Sequence, residues 1–152
     1  MALIFDIETD GFLEECTKIH CLVIKSTETG KVMSFGAVGC DQPLGPGIQL
    51  LMNTKDTITG HNIIKFDIPV IKRLYPWFDV DQSKVLDTLV CTRLIWSNIG
   101  DLDQHLVQQE KLPSKLWGSH SLAAWGHRLT EYKDDYSGGW TVFSKEMLDY
   151  CI

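Results

Sequence analysis

Polar and apolar positions alternate through the first strand-like stretch of the chain. In A-L-I-F-D-I-E-T (Ala2 to Thr9), Leu3 and Phe5 fall on one side of an extended backbone, and Ile4, Asp6 and Glu8 on the other. Ile19 to Lys25 is rich in β-branched residues and reads as a second strand, and Lys31 to Phe35 would return as a third. The T-E-T-G between them (Thr27 to Gly30) has hairpin-turn composition. The pattern predicts an antiparallel meander whose first strand ends in two carboxylates.

Residues 36–47 hold Gly36, Gly39, Pro43, Gly45, Pro46 and Gly47 and read as a loop, followed by a short helix from Ile48 to Met52. Beyond a β-prone Thr57 to Gly60 the period changes. Ile68, Ile71, Leu74 and Tyr75 recur at helical spacing, which predicts a helix over Phe66 to Leu74 that Pro76 ends. Val85 and Leu86 read as another short strand, and Asp87 as the N-cap of a helix over Thr88 to Trp96. Asp101 to Lys111 has helical character. Ser119 or Ser121 caps a helix to Leu129, with Leu122, Ala124, Trp125 and Leu129 as its buried stripe. Ser144 opens a last helix. A meander followed by alternating helix and strand predicts an α/β fold: a mixed sheet of about five strands flanked by helices.

The length of 152 residues suits one domain. The net charge of -6 argues against a broad basic face for duplex DNA, but not against an acidic site filled by metal ions. Five cysteines without a C-x-x-C pair read as reduced thiols of a cytoplasmic protein. No basic leader precedes the first apolar run, and no apolar stretch approaches the roughly 20 residues of a bilayer span, so no membrane partner is expected. Oligomeric state is not legible.

Asp6 and Glu8, side by side on one strand face, repel each other unless a cation lies between them, and hard oxygen ligands suit Mg²⁺ or Mn²⁺. A second acidic position closes G-H-N-I-I-K-F-D (Gly60 to Asp67), and Tyr150 lies one helical turn beyond Glu146. D-x-E-T, N-x-x-x-F-D and a late helical tyrosine resemble the three motifs of 3′→5′ exonucleases with a DEDD carboxylate set and a motif tyrosine. Longer blocks carry the resemblance further: Val85 to Asn98, Lys111 to Leu129, Tyr132 to Tyr136 and Glu146 to Tyr150. Together they look like the proofreading exonuclease domain of the family A replicative DNA polymerases of short-tailed bacteriophages.

That resemblance implies a ribonuclease H-like fold and two-metal hydrolysis of the terminal phosphodiester of single-stranded DNA, with two Mg²⁺ or Mn²⁺ ions. It makes Asp6 the bridge between the ions, Glu8 a ligand of the first and Asp67 a ligand of the second. Tyr150 would orient the attacking water with Glu8. Thr9, Phe12 and Asn62 match positions that contact the 3′-terminal nucleotide, and Lys65 could meet a phosphate. The family's last aspartate comes four residues after the motif tyrosine, two positions beyond Ile152. The chain is therefore expected to be a single exonuclease domain cut inside its third motif, weak or inactive alone. A polymerase domain follows in cis if the reading frame continues, and the expected location is the cytoplasm of the bacterial host. Two alternatives stay open: a crippled module that binds DNA or a partner without cutting it, and an RNA-trimming exonuclease of the same superfamily.

Overall fold

The computed structural model describes residues 1–37, 39–132, 136 and 138–150, together with the helical backbone of Cys151. It divides into two compact units, residues 1–87 with 136–152 and residues 88–135.

The first unit is built on a five-stranded sheet of β1 (Ala2–Thr9), β2 (Ile19–Ser26), β3 (Val32–Gly36), β4 (Thr57–Gly60) and β5 (Val85–Asp87). The strand order is β3-β2-β1-β4-β5, so β1 is central. β1, β2 and β3 pair antiparallel, as the meander predicts, while β4 and β5 join in parallel. Alternation in β1 divides its side chains as expected. Leu3, Phe5 and Ile7 enter the main core with Leu22 and Ile24 of β2. Asp6 and Glu8 stand opposite Val23 and Cys21 on the other face.

Helix α1 (Leu44–Asn53) and helix α2 (Asp67–Leu74) cover the core face through Ile48, Leu51, Ile68 and Ile71. α1 starts four residues before the predicted helix. Pro46 and its flanking glycines, which read as loop, lie in its first turn, where backbone N–H groups have no helical partner and proline costs little. Gly47 serves close packing: a Cβ there would stand 2.6 Å from Cγ of Phe35. On the opposite face, Leu148 of α6 (Lys145–Cys151) packs on Cys21 and Val23. Ser144 caps this helix, accepting the Met147 N–H at 3.2 Å.

The second unit contains α3 (Thr88–Ile95), α4 (Ile99–Gln108) and α5 (Leu122–Leu129). Ser121 caps α5, accepting the Ala124 N–H at 3.3 Å. The predicted apolar stripe of α5 is not buried as such, because Leu122 and Leu129 are exposed. The inward position goes instead to Arg128, whose guanidinium donates to both oxygens of the buried Asp103 at 2.8 and 2.7 Å.

Candidate active site

The end of β1, the start of α2 and the turn between β4 and α2 meet at one place. Asp67 is the first residue of α2, where its charge suits the positive end of the helix. Its carboxylate leaves the helix and accepts the backbone N–H of Ile7 at 3.1 Å. Ile7 is the residue between Asp6 and Glu8, so the three carboxylates belong to one neighbourhood. Asp67 is only 3% exposed. Burial, and then the negative charge of Asp6 and more weakly of Glu8, push its carboxyl well above the usual range, against the pull of the Ile7 hydrogen bond. Among the described residues, no three His, Cys, Asp or Glu side chains are grouped closely enough to form a ready metal cage.

Asp87, read from sequence as a helix cap, also holds the turn after β4. Its buried carboxylate reaches back across the sheet edge and accepts the N–H groups of Asn62 at 2.9 Å and Ile64 at 3.0 Å. This fixes the turn that carries Asn62 and Lys65. Asn62 sits there in the left-handed region, with φ of 67°, and its carbonyl accepts the N–H groups of Lys65 and Phe66. The turn starts from Gly60, where a Cβ would lie 2.7 Å from the Phe5 carbonyl oxygen, so only glycine lets β4 end this close to β1. Lys65 is exposed on the same turn.

Beside the carboxylates lies a cleft of about 230 Å³ lined by Glu8, Thr9, Gly11, Phe12, Phe66 and Trp140. Phe12 is 81% exposed at the tip of a loop. Asp10 closes that loop by accepting the N–H groups of Thr17 at 2.9 Å and Lys18 at 3.1 Å and the Thr17 hydroxyl. Thr9 is buried and donates its hydroxyl to the Gly11 carbonyl at 2.8 Å. Tyr150, on α6, joins an aromatic cluster, its ring 5.6 Å from that of Tyr136 and 6.2 Å from that of Trp140.

Of the residues singled out from sequence, Asp6, Glu8 and Asp67 are thus brought together, and Glu8, Thr9 and Phe12 line one cleft. Tyr150 lies against the cleft wall, and Asn62 and Lys65 share the Asp87-held turn. Sequence reasoning missed Asp87, Phe66 and Trp140. Phe66 was within reach, as the aromatic of N-x-x-x-F-D. The other two act across gaps that no local pattern reveals.

No protein-family model matches the chain. The chain is similar to the DNA-directed DNA polymerase of Enterobacteria phage T3, with 36% identity over 99% of this chain and 24% of that protein. It is similar in the same way to the DNA-directed DNA polymerase of Escherichia phage T7, with 35% identity over 99% of this chain and 24% of that protein. It therefore spans about a quarter of the length of these relatives. Among solved structures, Brucella melitensis NrnC bound to pGG superposes with a TM-score of 0.64 at 18% identity, covering 99% of this chain and 64% of that one. The EXO domain of Aedes aegypti Nibbler superposes with a TM-score of 0.62 at 15% identity, covering 99% of this chain and 70% of that one. The fold is ribonuclease H-like, and by sequence the chain is a relative of the phage DNA polymerases.

Proposed function

We propose that this chain is a 3′→5′ exonuclease domain of a phage-type DNA polymerase, removing the terminal nucleotide of a single-stranded DNA end. The observation that carries this reading is the bond from the Ile7 N–H to Asp67, which ties a third carboxylate to the peptide between Asp6 and Glu8. The similarity to phage polymerases along the whole chain supports it. In this reading residues 1–152 act as one exonuclease domain, and a polymerase domain belongs to the same polypeptide. The work is done in the cytoplasm of the infected bacterium. No helix among the described residues is long and apolar enough to cross a membrane.

The donor set fits divalent cations of the Mg²⁺ or Mn²⁺ class. Asp6, Glu8 and Asp67 offer only hard oxygens, and the burial and then the repulsion from Asp6 and Glu8 that raise the Asp67 carboxyl are what a bound cation would offset. Ions held there would supply an activated water and neutralise charge on the phosphate. The chain's own residues do the rest. Phe12, Phe66 and Trp140 offer rings to the terminal base, and Thr9 shapes the floor beneath it. Asn62 and Lys65 face the sugar and phosphate from the turn that Asp87 holds. The Tyr150 hydroxyl orients water together with Glu8.

The test is single-turnover digestion of a 5′-labelled single strand with Mn²⁺ by an excess of the whole polypeptide that this reading proposes, exonuclease and polymerase domains together, with residues 1–152 run beside it. The expected product is a ladder shortened from the 3′ end, abolished by chelation and by Asp6→Ala. Equal trimming by Asp6→Ala, with contaminating nuclease excluded, refutes the assignment. An RNA strand of the same sequence, run in parallel, separates the DNA reading from the RNA-trimming one.

A further inference from the structure

We propose that His20 is a positioning residue whose imidazole fastens the Trp140 carbonyl to the sheet and thereby sets the wall of the nucleotide cleft. That the cleft takes a nucleotide rests on the exonuclease reading; the fastening itself is independent of it.

The starting point is an irregularity in the sheet. Glu8 pairs with Cys21 and Thr9 with Ile19, so His20 is the extra residue of a bulge in β2, opposite the Glu8–Thr9 step. A bulge bends its strand and re-aims a side chain, and bulges gather beside functional sites. Here the bulge is clamped from behind. The Ala37 N–H donates to the His20 carbonyl at 3.0 Å, and Gly36 approaches so closely that a Cβ would lie 2.3 Å from that carbonyl oxygen.

The re-aimed imidazole is 2% exposed, and burying such a group costs free energy unless its polar atoms are bonded. Its Nε2 lies 2.7 Å from the Trp140 carbonyl oxygen, a link across 120 residues. A carbonyl only accepts, so Nε2 must carry the proton, which fixes this end of the ring. The Phe143 ring lies tilted to it, with the ring centroids 6.2 Å apart.

Among the described residues, the fastened segment is also held by Phe143, which packs against Cys21, Val23 and Leu148. Gly138 to Ser144 contains no helix or strand, and within it the Gly139 carbonyl accepts from the Tyr136 hydroxyl at 3.1 Å. The Trp140 ring follows directly from the fastened carbonyl. It lines the cleft with Glu8 and Phe12, and stacks edge-on with Tyr136 at 4.7 Å and with Tyr150 at 6.2 Å. One hydrogen bond from β2 thus sets the aromatic wall beside Glu8 and steadies the approach to α6.

The experiment uses the whole chain labelled with 5-fluorotryptophan, with the Trp140 resonance assigned from Trp140→Phe. In His20→Phe, which keeps a flat ring but no donor, the Trp140 signal is expected to shift or broaden while the other tryptophan signals stay in place. In His20→Gln, which keeps an N–H donor, it is expected to move back toward the wild-type position. Nitrogen-15 spectra of the wild-type imidazole are expected to show the proton on Nε2. A proton on Nδ1 alone, or an unmoved Trp140 signal in His20→Phe, overturns the proposal, and the wild-type measurement decides even if the variants fail to fold. In the digestion assay, His20→Phe is expected to raise the half-saturating protein concentration at least about 5-fold with a smaller change in the maximal single-turnover rate. Absence of digestion by wild type would count against the exonuclease reading alone, since the spectra decide the role of His20 separately.

Discussion

Asp67 and Ile7 lie 60 residues apart in sequence, and the Oδ1 of the one accepts the backbone N–H of the other at 3.1 Å. The bond does two things at once. It fixes the start of α2 on the central strand, and it holds a buried carboxylate beside two others. The two effects pull stability in opposite directions. The hydrogen bond favours the fold, while the charge is raised in energy by burial and by Asp6 and Glu8.

Two substitutions separate the effects. Asp67→Asn keeps an oxygen for the Ile7 N–H and removes the charge. It is expected to fold with unchanged or higher thermal stability and to bind Mn²⁺ more weakly. Asp67→Ala leaves a buried N–H unpaired, which costs about 1–3 kcal/mol. Calorimetric unfolding and a metal titration of both variants check this. An Asn variant clearly less stable than wild type would show that the three carboxylates do not strain one another.

Asp87 supports the site without being part of it. Asp87→Ala is expected to free the N–H groups of Asn62 and Ile64 and to destabilise the first unit by at least about 1–3 kcal/mol. At Asn62 the backbone itself discriminates. Asn62→Gly suits a φ of 67°, whereas Asn62→Val would add roughly 1–2 kcal/mol of left-handed strain. Denaturant melts of the three variants should rank Gly above both others, and equal midpoints for Gly and Val would sink the argument.

In the second unit, burial opposes the charge of Asp103, but the Arg128 guanidinium and the Gly118 N–H outweigh it and hold the carboxyl below the usual range. A depressed folded pKa adds stability that is fully present above the unfolded value of about 3.9 and is lost as pH falls through the folded value. With side chains 1% and 8% exposed, loss of one partner leaves a buried charge, and Asp103→Asn should cost about 3–5 kcal/mol near neutrality. Stability curves of wild type and variant should approach each other in acid. Curves that stay parallel to the lowest pH would show that the pair is not the source of the acid dependence.

The central meander and its carboxylates were legible from local signals: period-two alternation in Ala2 to Thr9, β-branched composition in Ile19 to Lys25, and the T-E-T-G turn that follows. The beginning of α1 was not. Gly45, Pro46 and Gly47 carry loop composition, and what overrides it is tertiary: Gly47 is the residue that lets α1 lie on Phe35 and Leu22. Gly47→Ala should therefore overpack this contact and cost about 1–3 kcal/mol, read as a lowered Tm. The same distinction runs through the site. The motif residues Asp6, Glu8 and Asp67 could be named from short patterns, but Asp87, His20 and Trp140 act over 25 and 120 residues and leave no trace in them.

Phe12 offers the sharpest test of substrate handling, because its ring has so little to do for the fold. It is 81% exposed, yet its loop is closed by three hydrogen bonds to Asp10, none of which involves the ring. The ring lines the same cleft as Glu8 and Trp140. An exposed aromatic on a braced loop beside an acidic cluster is placed to stack on a base, and such stacking is worth about 1–3 kcal/mol per base. Phe12→Ala should accordingly leave the melting curve in place and weaken binding of a short single strand by about 5- to 150-fold, whichever base is terminal. Fluorescence anisotropy of a labelled oligonucleotide, in Ca²⁺ to suppress cleavage, measures the loss. A strand ending in an abasic sugar supplies the control: it should bind wild type and Phe12→Ala alike. If Phe12→Ala still discriminates against the abasic end as strongly as wild type does, the base stacks elsewhere, and Phe66 and Trp140 become the rings to test.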